Sequence, residues 1–372
     1  MQILRAYRTE LDPTNKQRSY MGQCCGAIRY VYNWGLAEWK RQYEAGEKPS
    51  AYSLRKQFNG IKDDLCPWIR TLPYAVTESA FEALGRAFKN FFRRVKSGAK
   101  EKGYPRFKVR GRSRSSFRVR SLGVGHDAVR ITGLGWVRLK EQGYLPLAED
   151  IVKYGTYATL SERAGRWFVS VQAYEEMDIE TVSSGAVIGI DLGLKSRAVL
   201  SNGKVFEIPR WLNIYRRQMG RAGRELSRRK KGGKNWRKSK AKIGQLHLKI
   251  ANVRAHWLHE ISNYVVGLRP HTIVMETLNV QGMMQNRHLA RAVADAGFFE
   301  LRRQIEYKAK WAGIEVVLAD TFYPSSKKCS GCGAQKSVLR LSERTYVCES
   351  CGLVIDRDLN AATNLAMLGV AA

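Results

Sequence analysis

No stretch of this 372-residue chain is apolar for long enough to cross a bilayer, which takes about 20 consecutive apolar residues. Its first residues, MQILRAYRTELDP, lack the apolar core and small-residue cleavage site of a secretory signal. Negative charge is scarce: 33 Asp and Glu face 64 Lys and Arg, a formal net charge of +31. Such an excess repels itself unless a polyanion compensates it. An anionic membrane competes as that polyanion, but the charge is spread along the whole chain rather than held on one amphipathic helix, which makes nucleic acid the better reading. Cysteine is sparse as well, with seven in all. Three of them, Cys24, Cys25 and Cys66, stand apart from the rest, and the odd total does not suit a disulfide scaffold. A reducing, cytoplasmic setting is expected, in a prokaryotic cell and in company with the nucleoid. What is plentiful is apolar side chain, 44% of the sequence, enough for two or three domains with cores and too much for a disordered chain.

The other four cysteines organise the C-terminal quarter. Residues 329–364 read CSGCGAQKSVLRLSERTYVCESCGLVIDRDLNAATN, with CxxC pairs at Cys329/Cys332 and Cys348/Cys351. Each pair bends the backbone so that two sulfurs face one metal, and four thiolates in this pattern suit tetrahedral zinc. Gly331, Gly333 and Gly352 supply the permissive backbone of such turns. Zinc closed by four sulfurs keeps no open position, so it is structural and the chemistry lies beside it.

Taken in order, residues 1–12 alternate as a strand, and helical periodicity follows over about 14–43, 51–62 and 76–96. The aromatic stripe Phe81, Phe88, Phe91 and Phe92 suits core packing first and base stacking second. The stretch 96–120 is expected to be a basic loop; Arg106, Lys108 and Arg112 alternate there with Tyr104 and Phe107, as on a phosphate-facing surface. A period of two returns over 128–176, giving a small barrel-like β-module to which residues 1–12 can add a strand. The helical block is then an insertion. A polar connector near 177–185 leads to a short apolar strand ending on Asp191, then strands over 194–200 and 205–208. A basic segment, 210–242, carries Arg228, Arg229, Lys230 and Lys231 and precedes a long helix. A strand ending on Glu276, a helix over 288–312, a strand over 314–318 and a closing helix over 357–368 complete the series.

Asp191 and Glu276 thus end two buried strands, where open sheets place their clefts, and Asp358 opens a helix. Carboxylates suit Mg²⁺, and a pair of such ions roughly 4 Å apart can activate water and stabilise the leaving oxygen of a phosphodiester. Asp356, just before the helix, is expected to be its cap.

With these residues in view, the chain resembles the transposon-associated TnpB family, relatives of the type V CRISPR effectors. GIDLG (189–193), VMETLNV (274–280), the paired knuckles and DRDLNAATN (356–364) carry the likeness, with LDPTNKQ (11–17), RYVYNWGL (29–36), FKNFFRRVK (88–96) and GYPRFK (103–108) in the N-terminal half. It implies a multidomain α/β and α+β protein. A RuvC-like, RNase H-like nuclease would span 185–324 and 354–372, with a zinc ribbon inserted over 325–353. A β-barrel-like wedge module, 1–12 and 97–180, would carry a helical recognition insertion, 13–96. It also implies an RNA-guided DNA endonuclease whose metal triad is Asp191, Glu276 and Asp358. Guide RNA from the transposon end would pair with target DNA beside a short motif, the protein acting as a monomer on its RNA. Motif reading falls to residues 50–80, including Tyr52 and Tyr74, and the two basic stretches hold nucleic-acid backbone. The chain ends a few residues after its last helix, without the tail some relatives carry. Three other readings stay open: a guided repressor that does not cut, a strand-transfer transposase, and an RNA-binding protein with a decayed nuclease fold.

Overall fold

A computed structural model describes residues 2–120, 122–147, 153–154, 157–179, 185–194, 196–207, 210–340 and 342–370. The chain divides into two compact units, Met1–Met177 and Asp178–Ala372, each with its own core. Most of the connector expected near 177–185 lies outside the described residues.

The first unit begins with β1 (Gln2–Asp12) and three helices, α1 (Asn15–Glu44), α2 (Ala51–Leu65) and α3 (Tyr74–Lys96), with a short 3₁₀ turn at Pro67–Thr71. The sequence LDPTNKQ ends the strand and starts the helix: Thr14 Oγ1 accepts from the Gln17 N–H at 3.3 Å, and Gln17 Oε1 accepts from the Thr14 N–H at 3.0 Å. Trp39, Phe58, Phe81 and Phe88 are buried in the helical core, with Trp34 packed against them. Trp34 meets Phe58 at 5.0 Å and Trp39 stacks on Phe88 at 3.8 Å, ring centre to ring centre. Phe92, in contrast, is largely exposed.

Seven further strands follow: β2 (Ser116–Arg120), β3 (Leu122–Val124), β4 (Ala128–Ile131), β5 (Gly135–Leu139), β6 (Lys153–Tyr154), β7 (Tyr157–Arg163) and β8 (Arg166–Glu176). They join β1 in an antiparallel sheet ordered β2-β7-β8-β1-β5-β4-β3, with β6 beside β8. β1 pairs with β8 from Gln2 opposite Glu176 to Leu11 opposite Trp167. The three helices therefore enter the chain between two strands of one sheet. β2 corrects the expectation of an uninterrupted basic loop over 96–120. Phe117 and Val119 are buried, while Arg118 and Arg120 on the other face bind Glu82 and Glu78 at 2.7 and 2.8 Å. The arginines masked the alternation of the strand.

The second unit holds a five-stranded sheet: β9 (Val187–Leu192), β10 (Ser196–Leu200), β11 (Val205–Glu207), β12 (Thr272–Glu276) and β13 (Glu315–Ala319). Its order is β11-β10-β9-β12-β13, antiparallel over the first three and parallel over the last three. Lys195 and Ile208, expected within strands, lie outside the described residues. The basic segment turns out to be helical, split between α4 (Arg210–Ser227) and α5 (Lys234–Gly267). α6 (Val280–Gln285), α7 (Ala290–Ala296) and α8 (Phe298–Trp311) follow β12. The one helix expected over 288–312 is broken because Gly297 adopts a left-handed backbone, φ 64°. Asp295 of α7 binds both Arg216 of α4 and Arg254 of α5, which pins the broken segment to the long helices. A hairpin, β14 (Thr345–Val347) with β15 (Val354–Asp356), leads directly into α9 (Arg357–Val370). The molecule is a mixed α/β protein, and among the described residues no helix is long and apolar enough to cross a membrane.

Candidate metal centres and nucleic-acid faces

The four cysteine sulfurs of the second unit all lie within 4.8 Å of one another. Cys329 Sγ is 3.7 Å from Cys351 Sγ, and Cys332 Sγ is 3.6 Å from Cys348 Sγ. A tetrahedron with zinc–sulfur bonds of about 2.3 Å has edges of about 3.8 Å, so the sulfurs already mark out a zinc shell. N–H groups of Cys351 and Ser350 lower the Cys348 thiol, while the neighbouring cysteines raise that of Cys351, so the four thiols share their protons as one group. Tyr346 packs beneath the cluster and bonds the Lys327 carbonyl at 3.1 Å.

The carboxylates are positioned by the sheet. Successive side chains of a strand alternate between faces. In β9, Ile188, Ile190 and Leu192 face the core under α5 and α8, which puts Val187, Gly189 and Asp191 on the opposite face. β12 runs parallel to β9, with Met275 opposite Ile190, so Glu276 occupies the rung beside Asp191. The face they share is covered by α9. A Cβ on Gly189 would lie 2.0 Å from the Ala362 carbonyl oxygen, and one on Gly369 would lie 2.5 Å from Val274 Cγ2. The helix thus crosses the sheet at glycine distance, with its last turn over the strand starts and its first turn, carrying Asp358, at the strand ends. Asp356 Oδ1 accepts from the Asp358 and Leu359 N–H groups at 2.9 and 3.0 Å, which is the helix cap.

The three acids act on one another. Burial, then the charges of Glu276 and Asp358, push the Asp191 carboxyl well above the usual carboxylate range. Burial raises Glu276 to about 7, with Asp358 adding to the rise, although a 3.2 Å bond from the Leu192 N–H to Glu276 Oε1 opposes it. Asp358 is engaged by two arginines: Arg357 at 3.1 Å and Arg344, just before β14, at 3.7 Å. Neither arginine was assigned a role from sequence; Arg357 was visible inside the DRD run, and Arg344 carried no local signal. The three carboxylates do not crowd within 4.8 Å as the four sulfurs do.

The residues proposed from sequence for nucleic-acid contact are scattered over both units. Tyr52 is exposed on α2 beside Arg55, in a hollow that also holds Glu78 and Arg86. Tyr74 is exposed at the start of α3, with Lys62 Nζ 5.8 Å from its ring centre. Arg106 and Arg112 are exposed. Lys108 is half-buried, its ammonium 4.0 Å over the Tyr32 ring and its backbone held by the Asn33 side chain. Arg228, Arg229, Lys230 and Lys231 form the exposed turn between α4 and α5, where Arg229 also reaches Glu225 at 3.5 Å.

Three family profiles match the chain. One described as "Probable transposase" covers residues 158–287, and one described as "Cas12f1-like, TNB domain" covers 298–365. A third, "Helix-turn-helix domain", covers 1–48, where the structure has a strand and one long helix. A Streptomyces pristinaespiralis protein named "Putative RNA-guided DNA endonuclease" is 33% identical over 382 residues, covering 100% of this chain and 90% of that protein. The Escherichia coli K12 protein "Putative RNA-guided DNA endonuclease InsQ" is 30% identical, covering 99% of this chain and 93% of its own. Among solved structures, Cas12f1 in complex with sgRNA and target DNA superposes with a TM-score of 0.60 at 14% identity, over 98% of this chain and 99% of that one. At that identity the likeness concerns the fold.

Proposed function

The chain belongs to the TnpB family of transposon-associated proteins, and from that membership we propose that it is an RNA-guided DNA endonuclease whose chemistry is carried by Asp191, Glu276 and Asp358. The observation that carries the proposal is electrostatic. Burial and the charges of Glu276 and Asp358 raise the proton affinity of Asp191, and burial and the charge of Asp358 raise that of Glu276, at two neighbouring strand ends beside a helix start. Left without a cation, such a cluster is unfavourable, and hard carboxylate oxygens are the donors that Mg²⁺ takes. When bound, a pair of such ions activates water and stabilises the leaving oxygen of a phosphodiester. The chain's own part is to hold Glu276 by the Leu192 N–H, to cap α9 through Asp356, and to orient Asp358 by Arg357 and Arg344.

In this reading the second unit is an RNase H-like, RuvC-type nuclease over 185–324 and 354–372, with the ribbon 325–353 holding structural zinc. The first unit is a wedge module, 1–12 and 97–180, with the helical insertion 13–96. Its barrel-like character is supported by the order of the sheet: β2 and β3, at opposite ends of the ladder, are separated in the chain by one residue. Guide RNA and target DNA are the polyanions that +31 charges answer. One copy acts on each guide, in the bacterial cytoplasm where DNA is accessible.

The test is cleavage of target DNA by the RNA-bound protein in Mg²⁺, with Asp191→Ala beside wild type. Free cut ends from wild type and none from Asp191→Ala, at equal DNA binding, are expected. Bound but uncut DNA with wild type, or joined rather than free ends, would overturn the endonuclease.

A further inference from the structure

Beside Glu276 the surface dips into a cavity of about 280 Å³. Glu276 stands on one wall, the amides of Asn279 and Gln281 follow it, and Phe298, Phe299 and Arg302 close the other side. The two phenylalanines open α8 directly after the left-handed Gly297, and they diverge. Phe298 turns inward and is buried, with the guanidinium of Arg197 5.9 Å from its ring centre and that arginine itself only 1% exposed. Phe299 turns outward and is 72% exposed. Single exposed apolar side chains are common on proteins. This one differs in facing a cavity that a metal-binding carboxylate also lines, on a backbone fixed by its buried neighbour.

We propose that this cavity is a nucleobase subsite. It takes the base of one unpaired nucleotide from the DNA strand being cut, stacked on Phe299, and so sets which phosphate faces the three acids. The proposal rests on the endonuclease reading. A scissile phosphate must come within ligand distance of Glu276, so a base attached to it lies within one nucleotide of the cavity that Glu276 lines. The volume is just under the ~300 Å³ at which small-molecule pockets begin, room for one ring system and not for a base pair. The base has to leave its stack to enter, so the site distinguishes an unwound strand from duplex. Arg302, held through Nε by Glu306 at 2.6 Å, brings positive charge to the rim along which the backbone would run.

A phenyl face accepts any base, because stacking does not read hydrogen-bonding edges. That suits a guided enzyme in which pairing reads the sequence. Asn279, which lines the cavity, uses its Oδ1 to cap α6, accepting from the Gly282 N–H at 2.9 Å, so its amide N–H groups are the part not used by that cap. Gln281 is exposed beside it. These amides add a mild preference, and Phe299 supplies the holding.

The experiment uses the RNA-bound protein and a target DNA carrying an abasic site at each position in turn across the cut. Single-turnover cleavage, cut position and DNA affinity are measured for wild type, Phe299→Ala, Phe299→Tyr and Glu276→Gln. Phe299→Ala is expected to slow cleavage about tenfold, the loss of one stacked base, and to spread cuts over neighbouring phosphates at unchanged affinity. Phe299→Tyr restores both rate and position. In wild type one abasic position reproduces the defect, and in Phe299→Ala that position costs nothing more, the non-additivity of two halves of one contact. A Phe299→Ala complex that cuts at the wild-type rate and place overturns the subsite, as does a wild-type abasic scan with no special position. That scan also serves if the variant does not fold. Glu276→Gln separates the two ideas: if it cuts as wild type does, the assignment of the chemistry to Asp191, Glu276 and Asp358 fails; if it is dead while Phe299→Ala is normal, only the subsite fails.

Discussion

The buried side chain of Asn360 clasps the backbone around Ser330, accepting from the Ser330 N–H at 2.9 Å while donating to the Lys328 carbonyl at 2.7 Å. Ser330 lies inside the first CxxC knuckle, and Asn360 stands two residues past Asp358 on α9. One turn on, Asn364 donates to the same Lys328 carbonyl at 2.6 Å and to that of Ser325 at 2.7 Å. A four-cysteine cluster and an acidic residue are thus tied through one helix face, so the state of the cluster bears on where Asp358 sits.

Asn360→Ala leaves the Ser330 N–H without its partner and should cost about 1–3 kcal/mol of stability, read from urea denaturation, with zinc retained. Cys348→Ser should lose the zinc outright, and cleavage with it, although all three carboxylates remain. Metal analysis that finds no zinc in active, well-folded wild-type protein would sink this account.

Gly189→Ala places a methyl group against the Ala362 carbonyl, where the available gap is 2.0 Å. Backbone cannot yield as a flexible side chain does, so α9 must lift. We expect a loss of about 1–3 kcal/mol in denaturant and, because Asp358 rides on the displaced helix, a cleavage defect of at least a hundredfold at temperatures where the variant stays folded. A variant of wild-type activity would show that α9 can lift without moving Asp358.

Glu276 gives a pH dependence of definite sign. In the metal-free protein its carboxyl is raised from 4.5 to about 7, so the folded state keeps a proton that the unfolded chain releases. The stabilisation is complete below about 4.5 and is lost as pH rises through about 7. Asp191 shifts in the same direction. At about 1.4 kcal/mol per tenfold change in proton affinity, the Glu276 contribution is on the order of 3 kcal/mol. Melting in EDTA between pH 5 and 8 should therefore show wild type losing stability relative to Glu276→Gln, by about that amount. Mg²⁺ at pH 8 should restore it. Parallel curves for the two proteins would refute the coupling.

The basic residues should separate into two kinds. Arg228→Ala, Lys230→Ala and Lys231→Ala remove exposed charges and should each weaken RNA binding and reduce the slope of log affinity against log salt by about 1. Arg120→Ala should leave that slope alone and lower stability instead, because Arg120 binds the buried Glu78 at 2.8 Å. Equal slopes for all four variants would erase the distinction.

The sequence by itself determined whatever depends on near neighbours. Two CxxC pairs bring four sulfurs together wherever the chain goes, and Asp356 caps α9 because its carboxylate reaches N–H groups two and three residues on. Alternation and helical spacing likewise made most strands and helices legible, including β1, whose place beside β8 still needed the sheet. The misses came from the same limit. Gly297 breaks a helix whose apolar spacing runs on unbroken, and the arginines of β2 hid a strand by resembling a phosphate-binding loop. Tertiary structure alone decided which charges are engaged and which are open. Arg118, Arg120 and Arg344 meet carboxylates brought in by other elements, and no local pattern separates them from Arg228. The approach of Asp358 to Asp191 and Glu276 depends on the register of β9 with β12 and on two glycines that let α9 lie against them. Those are contacts between distant segments, set by packing, and the order of residues along the chain does not contain their distances.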